Sequence, residues 1–167
     1  MQDNNNDDEF IATLMDAIKA AQSIETVKSI IDDAQNIDIN KQNDDGDTAL
    51  MLAVQNDVDV TEYLCNTFKN TIDINKQNNY GDTAFMLAAK YNTNVEVIQY
   101  LYNTFKNTID INKQNNDGDT AFILAAFSNK NVEVIQYLCD TFKNTIDINR
   151  QNTYDNTAFM LAASNNK

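Results

Sequence analysis

Apolar and polar positions along this chain follow two distinct patterns in turn. The run Ala84-Phe85-Met86-Leu87-Ala88-Ala89 is apolar throughout and predicts a compact helix of about two turns, with Thr83 as its N-cap. After a polar break, Val95, Ile98, Leu101, Tyr102 and Phe105 recur at helical spacing on one face, predicting a second helix capped by Asn94. Asp57 and Asn131 stand at the same capping position in the neighbouring segments. The second helix is expected to close at Asn107, and its counterparts at Asn70 and Asn144, through a residue in the left-handed conformation. The stretch from Asp110 to Gly118 is polar and turn-forming, and Gly118 can supply a positive φ.

The same unit returns along the chain. Asp-Ile-Asn recurs at Asp38, Asp73, Asp110 and Asp147. Gly-Asp-Thr-Ala recurs at Gly46, Gly81 and Gly118, and in altered form as Asp155-Asn156-Thr157-Ala158. Residues 74–110 and 111–147 differ at only seven of 37 positions, which duplication explains and chance does not.

The pattern Asp-Ile-Asn-x-Gln-Asn-x-x-Gly-x-Thr-Ala-x-x-Leu-Ala-Ala, followed by Val-x-Val-Ile-x-Tyr-Leu, resembles the ankyrin repeat over about residues 8 to 167. The resemblance implies an all-α helix-turn-helix solenoid with β-turn or hairpin loops, one right-handed stack of nine helices. Its expected divisions are an N-terminal capping helix pair at 8–36, repeats at 37–72, 73–109 and 110–146, and a C-terminal half repeat at 147–167, all one domain (8–167). Residues 1–7 form an acidic stretch expected to be disordered or loosely ordered. The family's Thr-Pro-Leu-His box is here Thr-Ala-(Leu/Phe)-(Met/Ile), so an apolar contact is expected to replace its histidine. The units are longer than usual around Asn-Thr-Phe-Lys-Asn-Thr, which predicts a longer second helix edged by Phe68, Phe105 and Phe142. Asp155 replaces the turn glycine and puts the last turn's geometry in question.

At the N-terminus, helices are expected over 9–20 and 23–34. Phe10, Leu14, Ala17 and Ile18 share one inward face, Val27, Ile30 and Ile31 the other, and polar side chains face out, as a terminal repeat requires. At the other end Phe159, Met160 and Leu161 have partners on one side only. Either the chain is a fragment of a longer array, the preferred alternative, or that surface docks, with self-association as the rival.

Composition narrows the chemistry. Twelve basic against 25 acidic residues give a formal charge of −13, which disfavours nucleic acid and anionic lipid as partners. The absence of histidine removes imidazole triads and imidazole metal ligands. No apolar run reaches the roughly 20 residues of a membrane span, and no basic, apolar leader opens the chain. With two cysteines, Cys65 and Cys139, a cytoplasmic, reducing compartment is expected. Those thiols are two units apart, about 20 Å for helix layers roughly 10 Å thick, too far for a disulfide. The acidic loops do not fit a calcium loop, because Lys41 or Lys113 stands at position one and Leu52 or Leu124 at position twelve. Turn-forming carboxylates on exposed loops are expected to keep ordinary pKa values. The ladders Lys41, Lys76, Lys113, Arg150 and Lys69, Lys106, Lys143 are expected to satisfy neighbours across units. Asn richness is ascribed to codon bias rather than to a special role. No catalytic residue, cofactor or metal site is assigned.

What bears on function is where the two near-identical units differ: Tyr80/Asp117, Met86/Ile123, Lys90/Phe127, Tyr91/Ser128, Thr93/Lys130, Tyr102/Cys139 and Asn103/Asp140. Three of these positions precede the turn glycine or follow Leu-Ala-Ala, and the resemblance places them on the concave face that holds partners. The candidate partner-binding residues are therefore the groove residues Tyr80, Lys90, Tyr91, Phe127 and Tyr154. They are flanked by an acidic rim of Asp44, Asp45, Asp47, Asp82, Asp117 and Asp119 that would steer a basic segment of a protein partner. The expected function is a non-catalytic protein-interaction scaffold. The alternatives are a self-associating unit joined through the C-terminal helix, making a homo-oligomer, and a regulatory fragment of a larger enzyme or channel.

Overall fold

A computed structural model of the chain describes residues 4–34, 37–55 and 57–165. Among them are nine helices and no strands: α1 (Asn4–Lys19), α2 (Ile24–Asp33), α3 (Ala49–Ala53), α4 (Val58–Phe68), α5 (Ala84–Tyr91), α6 (Val95–Phe105), α7 (Ala121–Ser128), α8 (Val132–Phe142) and α9 (Ala158–Asn165). They stack in two rows. An inner row runs α1, α3, α5, α7, α9 and an outer row α2, α4, α6, α8, each helix packing on the next in its row and on its partner across. The core runs between the rows. Leu50, Phe85, Ile98, Leu101, Ile123 and Leu138 are buried in one long cluster, and Leu14, Val27, Ile39 and Leu64 in a second beneath the N-terminal pair.

The capping residues act as the sequence indicates. Thr48, Thr83 and Thr120 cap the inner helices, and Asp57, Asn94 and Asn131 the outer ones, each side chain accepting from a backbone N–H of the first turn. Ser23 caps α2 in the same way.

Three local expectations need correction. First, α1 begins at Asn4, so residues 4–7 of the segment expected to be loosely ordered are helical, while residues 1–3 lie outside the described residues. Second, the outer helices do not end on a left-handed asparagine, because Ala21 and Asp155 are the only described non-glycine residues with positive φ. They end instead on Phe68, Phe105 and Phe142, whose carbonyls accept from two following N–H groups in a tightened turn, as at Thr108 and Ile109 on Phe105. Third, the residue replacing histidine is more than an apolar filler. The Thr48 and Thr83 N–H groups each donate to a thioether sulfur, Met51 Sδ and Met86 Sδ, at 3.4 Å, closing a capping box with a weak acceptor.

The turns form a continuous edge. Gly46, Gly81 and Gly118 take φ of 78°, 80° and 77°, and a Cβ on Gly46 or Gly81 would lie 2.6 Å from a backbone N of the next unit. Asp155 reaches the same turn at φ 60°, so the fourth turn survives the loss of its glycine. Asn40, Asn75 and Asn112 tie consecutive Asp-Ile-Asn segments together: each donates to a carbonyl near the end of its own unit, Thr71, Thr108 or Thr145, and accepts from the next unit's Asp73, Asp110 or Asp147 N–H. The four segments therefore line up along one edge. These asparagines carry defined inter-unit bonds, which corrects the codon-bias explanation at those positions.

Candidate functional site

Because successive inner helices pack on one another and successive turns are joined by hydrogen bonds, residues at equivalent positions of neighbouring units meet on one face. A cleft of about 380 Å³ opens there, against units two and three. Tyr80, Tyr91 and Phe127 line it and are 66%, 51% and 45% exposed. Lys90, Asp47, Asp82, Asp117 and Asp119 complete the sequence-assigned part of the lining. Leu87 and Leu124 lie buried at its base.

The carboxylates divide into two sets. Asp82 is buried, and Asp47 and Asp119 are half-buried. Each accepts a hydrogen bond from the next unit's asparagine: Asn78 Nδ2 to Asp47 at 2.8 Å, Asn115 Nδ2 to Asp82 at 2.7 Å, Asn152 Nδ2 to Asp119 at 2.8 Å. These three belong to the stitching between turns rather than to an open rim. Asp44, Asp45 and Asp117 are exposed. Burial raises the pKa of Asp82 and Asp119, opposed by their asparagine donors and by the Lys90 charge. The expectation of ordinary carboxylate values therefore fails at these two positions.

Not every assigned residue meets in the cleft. Asp44 and Asp45 line a different cavity of about 350 Å³, formed between the first turn and α1 with Ile11, Met15, Lys19 and Lys41. Tyr154 stands one turn beyond, 68% exposed, and its hydroxyl donates to Asp117 Oδ1 at 3.4 Å. The residue before the turn glycine thus alternates along the edge: Asp45, Tyr80, Asp117, Tyr154. Sequence reasoning missed Gln55, which lines the cleft. It occupies the slot of Lys90 and Phe127 in the first full unit, and carrying that register back one unit would have found it.

Neither cysteine lines the cleft. Burial, with Glu62 nearby, pushes the Cys65 thiol up to about 12, and burial and Asp140 raise Cys139; both are free. Tyr102, in the same slot, packs edge-on against Phe142 with ring centres 4.7 Å apart. Arg150 donates to Gln114 Oε1 of the preceding unit rather than to a carboxylate. Among the described residues no three His, Cys, Asp or Glu side chains cluster as a metal site would need, and no helix is long and apolar enough to cross a membrane.

Comparison with known families adds one finding. The family model described as ankyrin repeats (3 copies) matches residues 14–115 and 102–167. A search of curated proteins finds no match.

Proposed function

We propose, from the premise that the chain belongs to the ankyrin-repeat family, that it holds a protein partner on its concave face without catalysing a reaction on it. Ankyrin repeats are generally protein–protein interaction modules and typically non-catalytic. The observation that carries the assignment to this face is the meeting of Tyr80, Tyr91 and Phe127 in one cleft, each substantially exposed. Rigid aromatic side chains bury area at low entropic cost and serve as anchors. With a formal charge of −13, a basic partner segment is the complementary choice.

The test is capture from native lysate. The Tyr80→Ala/Tyr91→Ala/Phe127→Ala variant should melt within a few degrees of wild type, since surface substitutions change stability little, and should retain no partner. Undiminished capture, or a collapse in melting temperature, would count against the assignment.

Self-association is the second reading, and one observation favours it: on α9, Phe159 and Met160 are 80% and 52% exposed. Light scattering across a hundredfold concentration range separates the two, because a constant monomer mass excludes it.

A further inference from the structure

The cleft already contains one cation of its own. Lys90 leaves the last turn of α5 and sets its Nζ 4.9 Å from the centre of the Tyr91 ring, within the range of a cation–π contact. It is the one basic residue among the described lining, set against four carboxylates, Asp47, Asp82, Asp117 and Asp119. The hydrogen bonds that Asp47, Asp82 and Asp119 accept come from neutral amides, which orient a carboxylate without cancelling its charge. One ammonium therefore faces a surplus of negative charge in a cleft walled by aromatic rings. A second copy of this chain, itself at −13, is the wrong charge to fill it, and so is an acidic segment. Neighbouring units carry Gln55 and Phe127 in the Lys90 slot, so the lysine is a feature of this unit and not a requirement of the fold.

We propose that the cleft seats an arginine or lysine side chain from a basic segment of a partner protein, and that Lys90 is a built-in stand-in which that side chain displaces. The inference rests on the concave-face reading but gives Lys90 the opposite sign from a direct contact. It competes with the partner for Tyr91 and for the carboxylates, holding the cleft closed to weakly basic segments. Lys90 also offsets part of the burial that raises Asp82 and Asp119, so its departure leaves both carboxylates in need of a replacement cation.

The probe is hexaarginine, titrated by calorimetry into the full chain at fixed ionic strength, with hexaglutamate as the acidic control and amide chemical shifts to locate binding. The Lys90→Gln variant should bind hexaarginine about fivefold tighter, the size of one exposed cation–π contact. Lys106→Gln makes the same charge change on the exposed turn after α6 and should alter affinity less than twofold. Tyr80→Ala and Asp117→Asn should each weaken binding about fivefold, and hexaglutamate should give no heat. Weaker or unchanged binding by Lys90→Gln overturns the stand-in role, as does an equal gain from Lys106→Gln. Shifts confined to surfaces away from Tyr80, Lys90 and Asp117 overturn the seat itself. That last result leaves the concave-face reading standing, since that reading is lost through the triple-alanine variant, by undiminished capture or by a collapse in its melting temperature.

Discussion

Asn78, Asn115 and Asn152 each do two things with one side-chain amide. The Oδ1 of Asn78 accepts from Tyr80 and Asp82 N–H and so closes its own turn. Its Nδ2 reaches back to Asp47 of the preceding unit. Asparagine alone carries both an acceptor and a donor at this length, whereas Asp lacks the donor and Ser the reach. The bond carries the acceptors inward, and burial raises the Asp82 pKa. A carboxyl whose folded-state pKa is raised binds more protons folded than unfolded, so its contribution to stability falls as pH rises through the folded value. That penalty is full above the folded value and is relieved as pH drops through it toward the ordinary value of 3.8. Asp82→Asn keeps an acceptor for Asn115 and removes the charge. Its guanidinium midpoint should exceed that of wild type at pH 7, with the advantage shrinking at pH 4; a pH-independent difference would show that charge is not the cause.

Among the elements, legibility depended on whether the signal was local. The inner helices declare themselves because an unbroken apolar run behind a threonine has one stable outcome, and the outer helices because their apolar spacing is helical. Their ends were less legible. The left-handed asparagine expected at Asn107 gives way to a tight turn on Phe105, whose ring is buried and whose carbonyl accepts from Thr108 and Ile109. A buried aromatic at the last turn outweighs a residue preference two residues later. The sulfur acceptors at Met51 and Met86 were equally hidden, since nothing in a methionine's sequence context announces a hydrogen bond. Leu101, fully buried at the middle of α6, reports on the packing of both rows. Leu101→Ala should cost about 2–5 kcal/mol in denaturant unfolding. A loss below about 1 kcal/mol would contradict its place in the core.

For the molecule as a whole, each unit is finished by the one after it. Phe85, Phe122 and Phe159 occupy one register position, and their exposures run 2%, 9% and 80% along the stack. Ile74 and Ile148 show the same trend, at 2% and 56%. Stability in such a stack is a sum of unit and neighbour terms, so units with two neighbours outlast those with one. Amide hydrogen exchange should therefore be slowest in α5, α6 and α7 and fastest in α9; uniform protection would mean that the stack unfolds as one block. The sequence by itself determined the repeat, its two helices, their N-caps and the positive-φ glycines, because these depend on residues within a few positions of one another. It also marked Tyr80, Lys90, Tyr91 and Phe127, since duplication leaves the altered positions in plain view. Only the tertiary structure decided which carboxylates turn inward and that Asp44 and Asp45 face α1 instead of the cleft. It alone set Lys90 over Tyr91. Those outcomes depend on distances between units some 35 residues apart in sequence, and stacking sets these, not any local preference.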